Sequence, residues 1–224
     1  MSIRPLLAAA LAAALAAVVL VPAGCGGSGD SPGGAAGASA NAAGGHGEDH
    51  GAGAATAASG MLVPPAPAPE LGLRDHLGRR VTTGQFQGKA MLVTFVYSRC
   101  PDVCPLIVAN LRRVLDRLGP RARDVAVVAV SVDPRGDTRR NVTAFLRRQG
   151  MAGRMLWLVG SRRELEPVWD RWGIATRIPR DNPELVEHAA PVYGVDASGR
   201  IAKVYPLQFT PREIAEDIAE LVGA

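Results

Sequence analysis

The chain has 224 residues, of which 47% are hydrophobic and 21% are charged, and its formal net charge is +4 at pH 7. This length allows one domain of ordinary size with additional segments, but hardly two full domains. The basic residues are mostly scattered arginines and only 4% of the residues are aromatic. The composition therefore argues against nucleic-acid binding, which uses a basic patch and stacking rings.

Residues 1–24 have the pattern of a bacterial export signal. Arg4 provides the positive start, residues 6–20 form an uncharged apolar run, and small residues precede Cys25 as in a lipoprotein cleavage site. We therefore predict a lipoprotein-type signal peptide over residues 1–24. Cys25 would carry the lipid after cleavage.

Two alternatives to lipidation stay open at this point: an export signal that is cut nearby, and an uncleaved N-terminal anchor. The apolar run is shorter than the roughly 20 residues that a spanning helix needs. All three versions place the rest of the chain outside the cytoplasm, where disulfides persist. With lipidation, we expect the protein at the extracytoplasmic face of the cell membrane.

Residues 25–69 have the composition of a flexible tether. Most of this stretch is Gly, Ala, Ser and Thr, which cannot bury enough apolar surface to fold, and alternating prolines stiffen residues 64–69. His46 and His50 lie inside it. We interpret these two histidines as part of a solvated linker, with a loose metal-binding site as the alternative.

The folded domain is predicted over residues 70–224. Short β-segments on either side of residues 75–78 predict an N-terminal hairpin. Residues 90–96 are a continuous apolar run rich in β-formers, as expected of a buried central strand. Residues 107–118 then have the spacing of an amphipathic helix, which Gly119 and the following proline end.

The remaining elements alternate in type before they end in a hairpin and a helix. This order predicts an α/β fold with a thioredoxin-like central sheet flanked by helices, whose first half is parallel. Asp137 or Thr138 is expected to cap one of the helices. The predicted strands are 124–132, 155–159, 192–195 and 201–205, and the predicted helices are 138–149, 161–172 and 210 onward.

Cys100 and Cys104 directly follow the predicted central strand, at the start of a helix. Open α/β sheets place their sites at this edge, and a helix N-terminus favours thiolate over thiol. A spacing of four puts both sulfurs on one helical face, with α-carbons about 6 Å apart, which permits a disulfide or convergence on one ion. A bridge that closes so short a loop would stabilise little. We therefore interpret the pair as redox-active or metal-binding, with a structural disulfide as the alternative.

Two thiolates suit Cu(I), but a third ligand is expected, and imidazole suits copper in both oxidation states. Besides the two tether histidines, the chain has His76, in a predicted turn, and His188, just before a predicted strand. In a thioredoxin-like fold the position of His188 faces the cysteine loop. Cys100, Cys104 and His188 are therefore candidate metal ligands, and a hydrogen-bonded structural histidine is the alternative for His188.

Four motifs follow one another along the folded domain: Phe86-x-Gly-Lys89, Phe95-x-Tyr-x-x-Cys-Pro-Asp-x-Cys-Pro105, Ser131-Val-Asp-Pro-x-x-Asp-Thr138 and Val186-x-His188. Together they resemble the Sco/SenC family, and the resemblance runs from about residue 71 to the C-terminus. The cysteine motif is highly specific, whereas Val-x-His alone would be weak. The sequence departs from the family near the histidine. Glu184-Leu185 occupies the place where the family often has an acidic residue and a tyrosine, and Ala189 and Ala190 replace the hydroxyl residues that often follow the histidine.

The resemblance implies a thioredoxin-fold, membrane-tethered copper protein that helps assemble the binuclear copper site of cytochrome c oxidase. It implies that Cu(I) or Cu(II) is held by Cys100, Cys104 and His188 and is delivered to the copper-site subunit of the oxidase. A thioredoxin-like reductant or another copper chaperone would be further partners, and the membrane would be contacted through the N-terminal lipid.

Two rival functions use the same cysteines. In a thiol:disulfide reductase acting on oxidase cysteines, or in a redox sensor, Cys100 would attack a disulfide and Cys104 would resolve the mixed disulfide. A peroxidase-like antioxidant would need one reactive thiol and no histidine. For the residues around the pair we expect structural roles: Asp102 starts the helix, Asp133 ends a strand, and Tyr97 and Trp169 pack in the core.

Overall fold

The computed structural model describes residues 60–182 and 185–223. These residues all belong to the compact unit that spans residues 52–224. The predicted signal peptide, the lipidation of Cys25 and most of the tether, with His46 and His50, lie outside the described residues.

The described residues form helices and strands in the alternating order that the sequence indicates. The strands are β1 (Met61–Pro67), β2 (Leu73–Asp75), β3 (Arg80–Val81), β4 (Ala90–Val96), β5 (Val125–Ser131), β6 (Leu156–Val159), β7 (Thr176–Arg177), β8 (Glu187–His188), β9 (Val192–Val195) and β10 (Arg200–Tyr205). The helices are α1 (Val103–Leu118), α2 (Arg139–Arg148), α3 (Arg162–Arg171) and α4 (Pro211–Gly223). Short 3₁₀ turns cover Thr83–Phe86 and Gly119–Asp124.

Eight strands form one sheet in the order β1-β10-β9-β4-β5-β6-β2-β3. The pairs β4·β5 and β5·β6 are parallel, whereas β9 pairs with β4, and β10 with β9, in antiparallel register. Every residue of β4 is buried, which explains its largely apolar sequence, and the one polar side chain, Thr94, donates to Pro191 O at 3.1 Å. The predicted α/β fold with a thioredoxin-like sheet is thereby confirmed.

The two ends of the sheet are built by N-terminal strands. The predicted hairpin is β2 and β3, and β2 adds it to the sheet by pairing with β6. The prediction of a tether up to residue 69 was wrong over Met61–Pro67, because these residues form β1 and pair with β10. Proline is tolerated on an edge strand, where one side of the backbone needs no ladder partner.

The helix starts follow the capping signals of the sequence. Thr138, not Asp137, caps α2, and its hydroxyl accepts a hydrogen bond from Asn141 N. Ser161 begins α3 with the expected capping box, and Thr210 begins α4 in the same way. None of the helices within residues 60–182 and 185–223 combines the length and apolarity needed to cross a membrane.

A buried polar network ties β10 to α4. Lys203 Nζ lies 2.7 Å from Asp217 Oδ1 and 2.8 Å from Glu220 Oε2. Tyr205 donates its hydroxyl hydrogen to the other Asp217 oxygen at 2.9 Å. Lys203, Tyr205 and Asp217 are all buried, whereas Glu220 is mostly exposed. Because α4 also packs against α1, this network fixes the helix layer behind the cysteine pair.

Candidate functional site

The two cysteines lie where β4 ends and α1 begins. Cys100 is in the connecting loop, and its amide donates to Tyr97 O at 3.3 Å. Cys104 is in the first turn of α1, so the helix includes it, although the sequence pattern indicates a helix only from residue 107. Both residues are free cysteines, Cys104 fully buried and Cys100 8% exposed. The pair is thus at the edge of the sheet and at a helix N-terminus, as predicted.

The surroundings of the pair separate the acidities of the two thiols. The hydrogen bond from the Cys104 thiol is the main cause that lowers the pKa of Cys100 to about 5, against the effect of burial. The amides of Cys104 and Asp102 and the hydroxyl of Tyr97 add to this lowering. The pKa of Cys104 is raised, because its thiol donates to Cys100 and because it is buried. The pair therefore loses its first proton from Cys100 and holds the second on Cys104.

Asp137 fixes the start of the loop that carries the cysteines. Its carboxylate accepts hydrogen bonds from Ser98 N at 2.7 Å and from the indole of Trp157 at 3.1 Å. Burial raises the pKa of Asp137. Of the two residues predicted as possible helix caps, Thr138 provides the cap of α2, whereas the side chain of Asp137 points to the cysteine loop.

Asp133 holds the next residue of the same loop. One of its carboxylate oxygens accepts from Arg99 Nε at 3.1 Å and Nη2 at 2.9 Å, and the other accepts from Gly136 N at 2.9 Å. A Cβ at Gly136 would lie 2.0 Å from Asp133 Oδ2 and 2.1 Å from Arg99 Nε, so only glycine fits there. The motif that begins at the end of β5, Ser131-Val-Asp-Pro-x-x-Asp-Thr138, thus holds the loop that carries Cys100 in place.

Tyr97 connects the cysteines to the segment that carries His188. Its hydroxyl donates to Cys100 and accepts from Val186 N at 3.4 Å. Its ring packs against the His188 ring, with centroids 6.0 Å apart. Burial raises the pKa of Tyr97 to about 12, so the hydroxyl stays a donor at neutral pH. Sequence reasoning treated Tyr97 as a packing residue and missed this role.

His188 is half-buried in β8, which pairs with β7 in a small second sheet that the sequence did not indicate. Its Nδ1 lies 2.9 Å from the carbonyl oxygen of Ala189. A carbonyl only accepts, so Nδ1 carries the hydrogen and Nε2 of the neutral ring keeps a free lone pair. Burial lowers the pKa of His188, which favours this neutral form, and neutral imidazole is the form that binds metals.

The structure brings the three predicted ligands into one region but does not gather them into a metal site. Within residues 60–182 and 185–223, no three His, Cys, Asp or Glu side chains are placed to hold a metal ion. Cys100 and His188 are linked through Tyr97, which touches both. The donor set itself suits copper, since thiolate sulfur and imidazole nitrogen are the ligands that Cu(I) accepts. A three-ligand site therefore requires the His188 segment to approach the thiols.

Replacing Tyr97 with Phe is expected to raise the pKa of Cys100, because the thiolate loses a hydrogen-bond donor while the ring packing is kept. The rate of Cys100 alkylation at pH 5 should fall about two- to fivefold, as expected for one of several hydrogen bonds to a charged group. Stopped-flow alkylation from pH 4 to 8 measures the change. Tyr193→Phe is the matched control, since that hydroxyl donates to Trp172 O. An equal loss in both variants would contradict the assignment.

Comparison with known proteins gives relatives over the same part of the chain. The model of the SCO1/SenC family matches residues 66–223. Protein sco1 of Schizosaccharomyces pombe is 28% identical over 166 residues, which cover 70% of this chain and 61% of that protein. The chain thus spans less than two thirds of that relative.

Solved structures resemble the fold. Bradyrhizobium japonicum ScoI with copper bound is 29% identical and superposes with a TM-score of 0.62, covering 70% of this chain and 99% of that one. BsSco, described with a disulfide switch and as a member of the Sco family of cytochrome c oxidase assembly proteins, superposes with a TM-score of 0.60. It covers 72% of this chain and 98% of its own, and at 20% identity this likeness shows the fold alone.

Proposed function

The chain belongs to the SCO1/SenC family, and from this premise we propose that it is a copper-binding metallochaperone for the binuclear copper site of cytochrome c oxidase. The observation that carries the proposal is the cysteine pair. Two thiols meet at a helix N-terminus, and one of them is a thiolate at neutral pH. Soft thiolate ligands select Cu(I).

In this proposal Cys100, Cys104 and His188 hold the copper. Cys100 is already ionised at pH 7 and needs no proton loss to bind. Cys104 must give up the proton that it shares with Cys100, so loading releases about one proton per copper ion. His188 Nε2 completes the ligand set after the segment around β8 moves toward the thiols. Tyr97 guides that movement, because its hydroxyl and ring contact both sides.

Delivery follows from the same arrangement. A partner thiolate first replaces His188, the ligand on the separate segment, and then replaces the cysteines one at a time. Copper passes between proteins without becoming free. The partner in this proposal is the copper-site subunit of the oxidase, and the site of action is the extracytoplasmic face of the membrane, with the chain anchored through Cys25.

His188→Ala tests the proposal directly. Anaerobic titration of Cu(I) against a competing chelator should give about one ion per wild-type chain, and the variant should bind at least about tenfold more weakly, which corresponds to 1.4 kcal/mol. His76→Ala is the matched control, since His76 lies in the β2–β3 turn and should not change the affinity. If His188→Ala retains Cu(I) as the wild type does, His188 is not a ligand. If the wild type binds no Cu(I), the proposed function is refuted.

Thiol:disulfide exchange is a second candidate, and the separation of the two cysteine pKa values favours it. Cys100 is more exposed and ionised, so it attacks a partner disulfide and releases one partner thiolate. Cys104 then loses its proton, attacks the mixed disulfide and frees the second partner thiolate. The pair ends oxidised and the partner reduced. His188→Ala should leave this reaction largely intact, which distinguishes it from copper binding.

A further inference from the structure

A groove of about 600 Å³ lies next to the loop that carries Cys100, and the proposed copper chemistry does not use it. It is bounded by the loop after β5, the first turn of α3 and strand β7. Arg99, which lines the groove, directly precedes Cys100, and Val186, which also lines it, comes two residues before His188. A chain lying in this groove would therefore contact residues close in sequence to two of the candidate ligands.

The side chains that line the groove include more positive than negative charges. Its lining includes four arginines but a single carboxylate, Asp133, which Arg99 already engages. Within the described residues, the exposed guanidinium of Arg135 has no ion pair. The lining side chains alone sum to +3, from four positive charges and one negative, and the ion-pair partners Glu166 and Glu187 reduce this to +1. The arginines are Arg99, Arg135, Arg162 and Arg177.

Two of these arginines are held only by exposed carboxylates. Arg162 pairs with Glu166 at 2.6 Å, and Arg177 pairs with Glu187. All four of these side chains are more than 40% exposed. Exposed ion pairs contribute little to stability, so a ligand carboxylate can take the place of Glu166 or Glu187 on the arginine.

Apolar side chains lie between these charges. Trp169 and Val186 are buried and form part of the wall, and Trp169 is fixed by the hydrogen bond of its indole to Ser131 O at 2.9 Å. Ile178 is 40% exposed in the same groove. The surface thus offers guanidinium groups for carboxylates and an apolar contact for aliphatic side chains.

We propose that this groove docks an extended, acidic segment of the protein that exchanges copper or disulfide with Cys100. The proposal rests on the proposed function, since it supplies the docking step for that exchange. Arginine guanidinium binds carboxylates through two parallel hydrogen bonds, which fixes the register of a bound segment. The charge complementarity also speeds the encounter and excludes basic partners.

The test uses the metal-free, reduced full chain and a fluorescein-labelled peptide of about ten residues in which glutamates alternate with valine and serine. Fluorescence anisotropy should show binding that weakens as salt is added. The double variant Arg135→Glu/Arg162→Glu should bind at least about tenfold more weakly, because it reverses two charges in the groove. The same peptide with lysines in place of the glutamates should not bind.

The matched control is Arg123→Glu/Arg212→Glu, which makes the same change of charge outside the groove at side chains that are 82% and 75% exposed. It should stay within about twofold of the wild type if docking is local. Equal weakening by both double variants, or equal binding of the lysine peptide, would overturn the proposal. The proposal would also be overturned if the groove variant lost binding to phosphatidylglycerol vesicles but still bound the peptide, since the surface would then be a lipid site.

Copper binding is measured separately on the same proteins. The groove variants should bind Cu(I) as the wild type does, because neither arginine is a candidate ligand. Absence of Cu(I) binding by the wild type would refute the proposed function and would leave the peptide result intact. If the wild type binds Cu(I) but the groove variant binds the glutamate peptide as tightly as the wild type does, only the docking groove is refuted.

Discussion

At pH 7, Cys100 is expected to react with iodoacetamide at least about a hundred times faster than Cys104. Its pKa of about 5 makes Cys100 almost fully thiolate, whereas the pKa of Cys104 is raised and its side chain is fully buried. A thiolate of low pKa is intrinsically less nucleophilic, which reduces the difference without removing it. Mass spectrometry of tryptic peptides after short alkylation of the reduced chain gives the two rates.

The dependence of the alkylation rate on pH shows whether the pKa of Cys100 is lowered or raised. Because the pKa of Cys100 is lowered from its ordinary value of 9.0, its rate should be half-maximal near pH 5 and flat above about pH 6.5. A rate that rises about tenfold per pH unit between pH 6 and 8 would mean an ordinary thiol and would contradict the prediction.

A pair of substitutions at Cys104 tests the cause. Cys104→Ser keeps a hydrogen-bond donor beside the Cys100 sulfur, so the midpoint of the profile should stay low. Cys104→Ala removes the donor, so the midpoint should move to higher pH. Identical profiles for the two variants would show that the thiol hydrogen bond is not the main cause.

The fold could be predicted where local sequence and burial agree. Strand β4 has the predicted bounds, because a run of seven buried β-formers is too short for a typical helix and is therefore read as a strand. Helix α1 begins four residues earlier than predicted. The apolar spacing typical of a helix starts only after Pro105, although proline is tolerated in the first turn of a helix. Strand β1 was missed because its pairing is supplied by β10, more than a hundred residues away.

The site was predicted less completely than the fold. The cysteines and His188 are recognisable from residue type and motif, and the structure places them in one region. The roles of Tyr97 and Asp137 depend on contacts with the loop that carries Cys100, which only the folded chain creates. The motif after β5 was the available signal, but a strand end and a cap explained its carboxylates equally well.

Replacing Asp217 with Ala is expected to destabilise the fold by about 3–5 kcal/mol, since it removes one partner of a buried ion pair. The buried ammonium of Lys203 would keep only the exposed Glu220, and the buried hydroxyl of Tyr205 would lose its acceptor. Urea unfolding followed by circular dichroism at pH 7 measures the free energy of unfolding. Arg212→Ala is the control, because it breaks only an exposed pair with Glu216 and should cost less than about 1 kcal/mol.

Two further variants show whether the cost arises from the uncompensated charge. Lys203→Met/Asp217→Leu removes both charges and should be markedly more stable than Asp217→Ala, as for other buried pairs replaced by apolar residues. Asp217→Asn keeps an acceptor for Tyr205 and should lie between the wild type and Asp217→Ala. A double variant as unstable as Asp217→Ala would assign the loss to packing and not to the charge.

The network also sets the alkaline limit of stability. Desolvation opposes the charge of Lys203, but Asp217 and Glu220 outweigh it and raise the pKa of Lys203. Burial, and then the charge of Asp217, raise the pKa of Tyr205 above its ordinary value of 10.0. Groups whose pKa is raised on folding stabilise the fold fully below the unfolded value and lose that contribution as pH rises. The free energy of unfolding of the wild type, measured relative to that of the Lys203→Met/Asp217→Leu variant, should therefore fall above about pH 10, and a relative value that rises there would contradict the network.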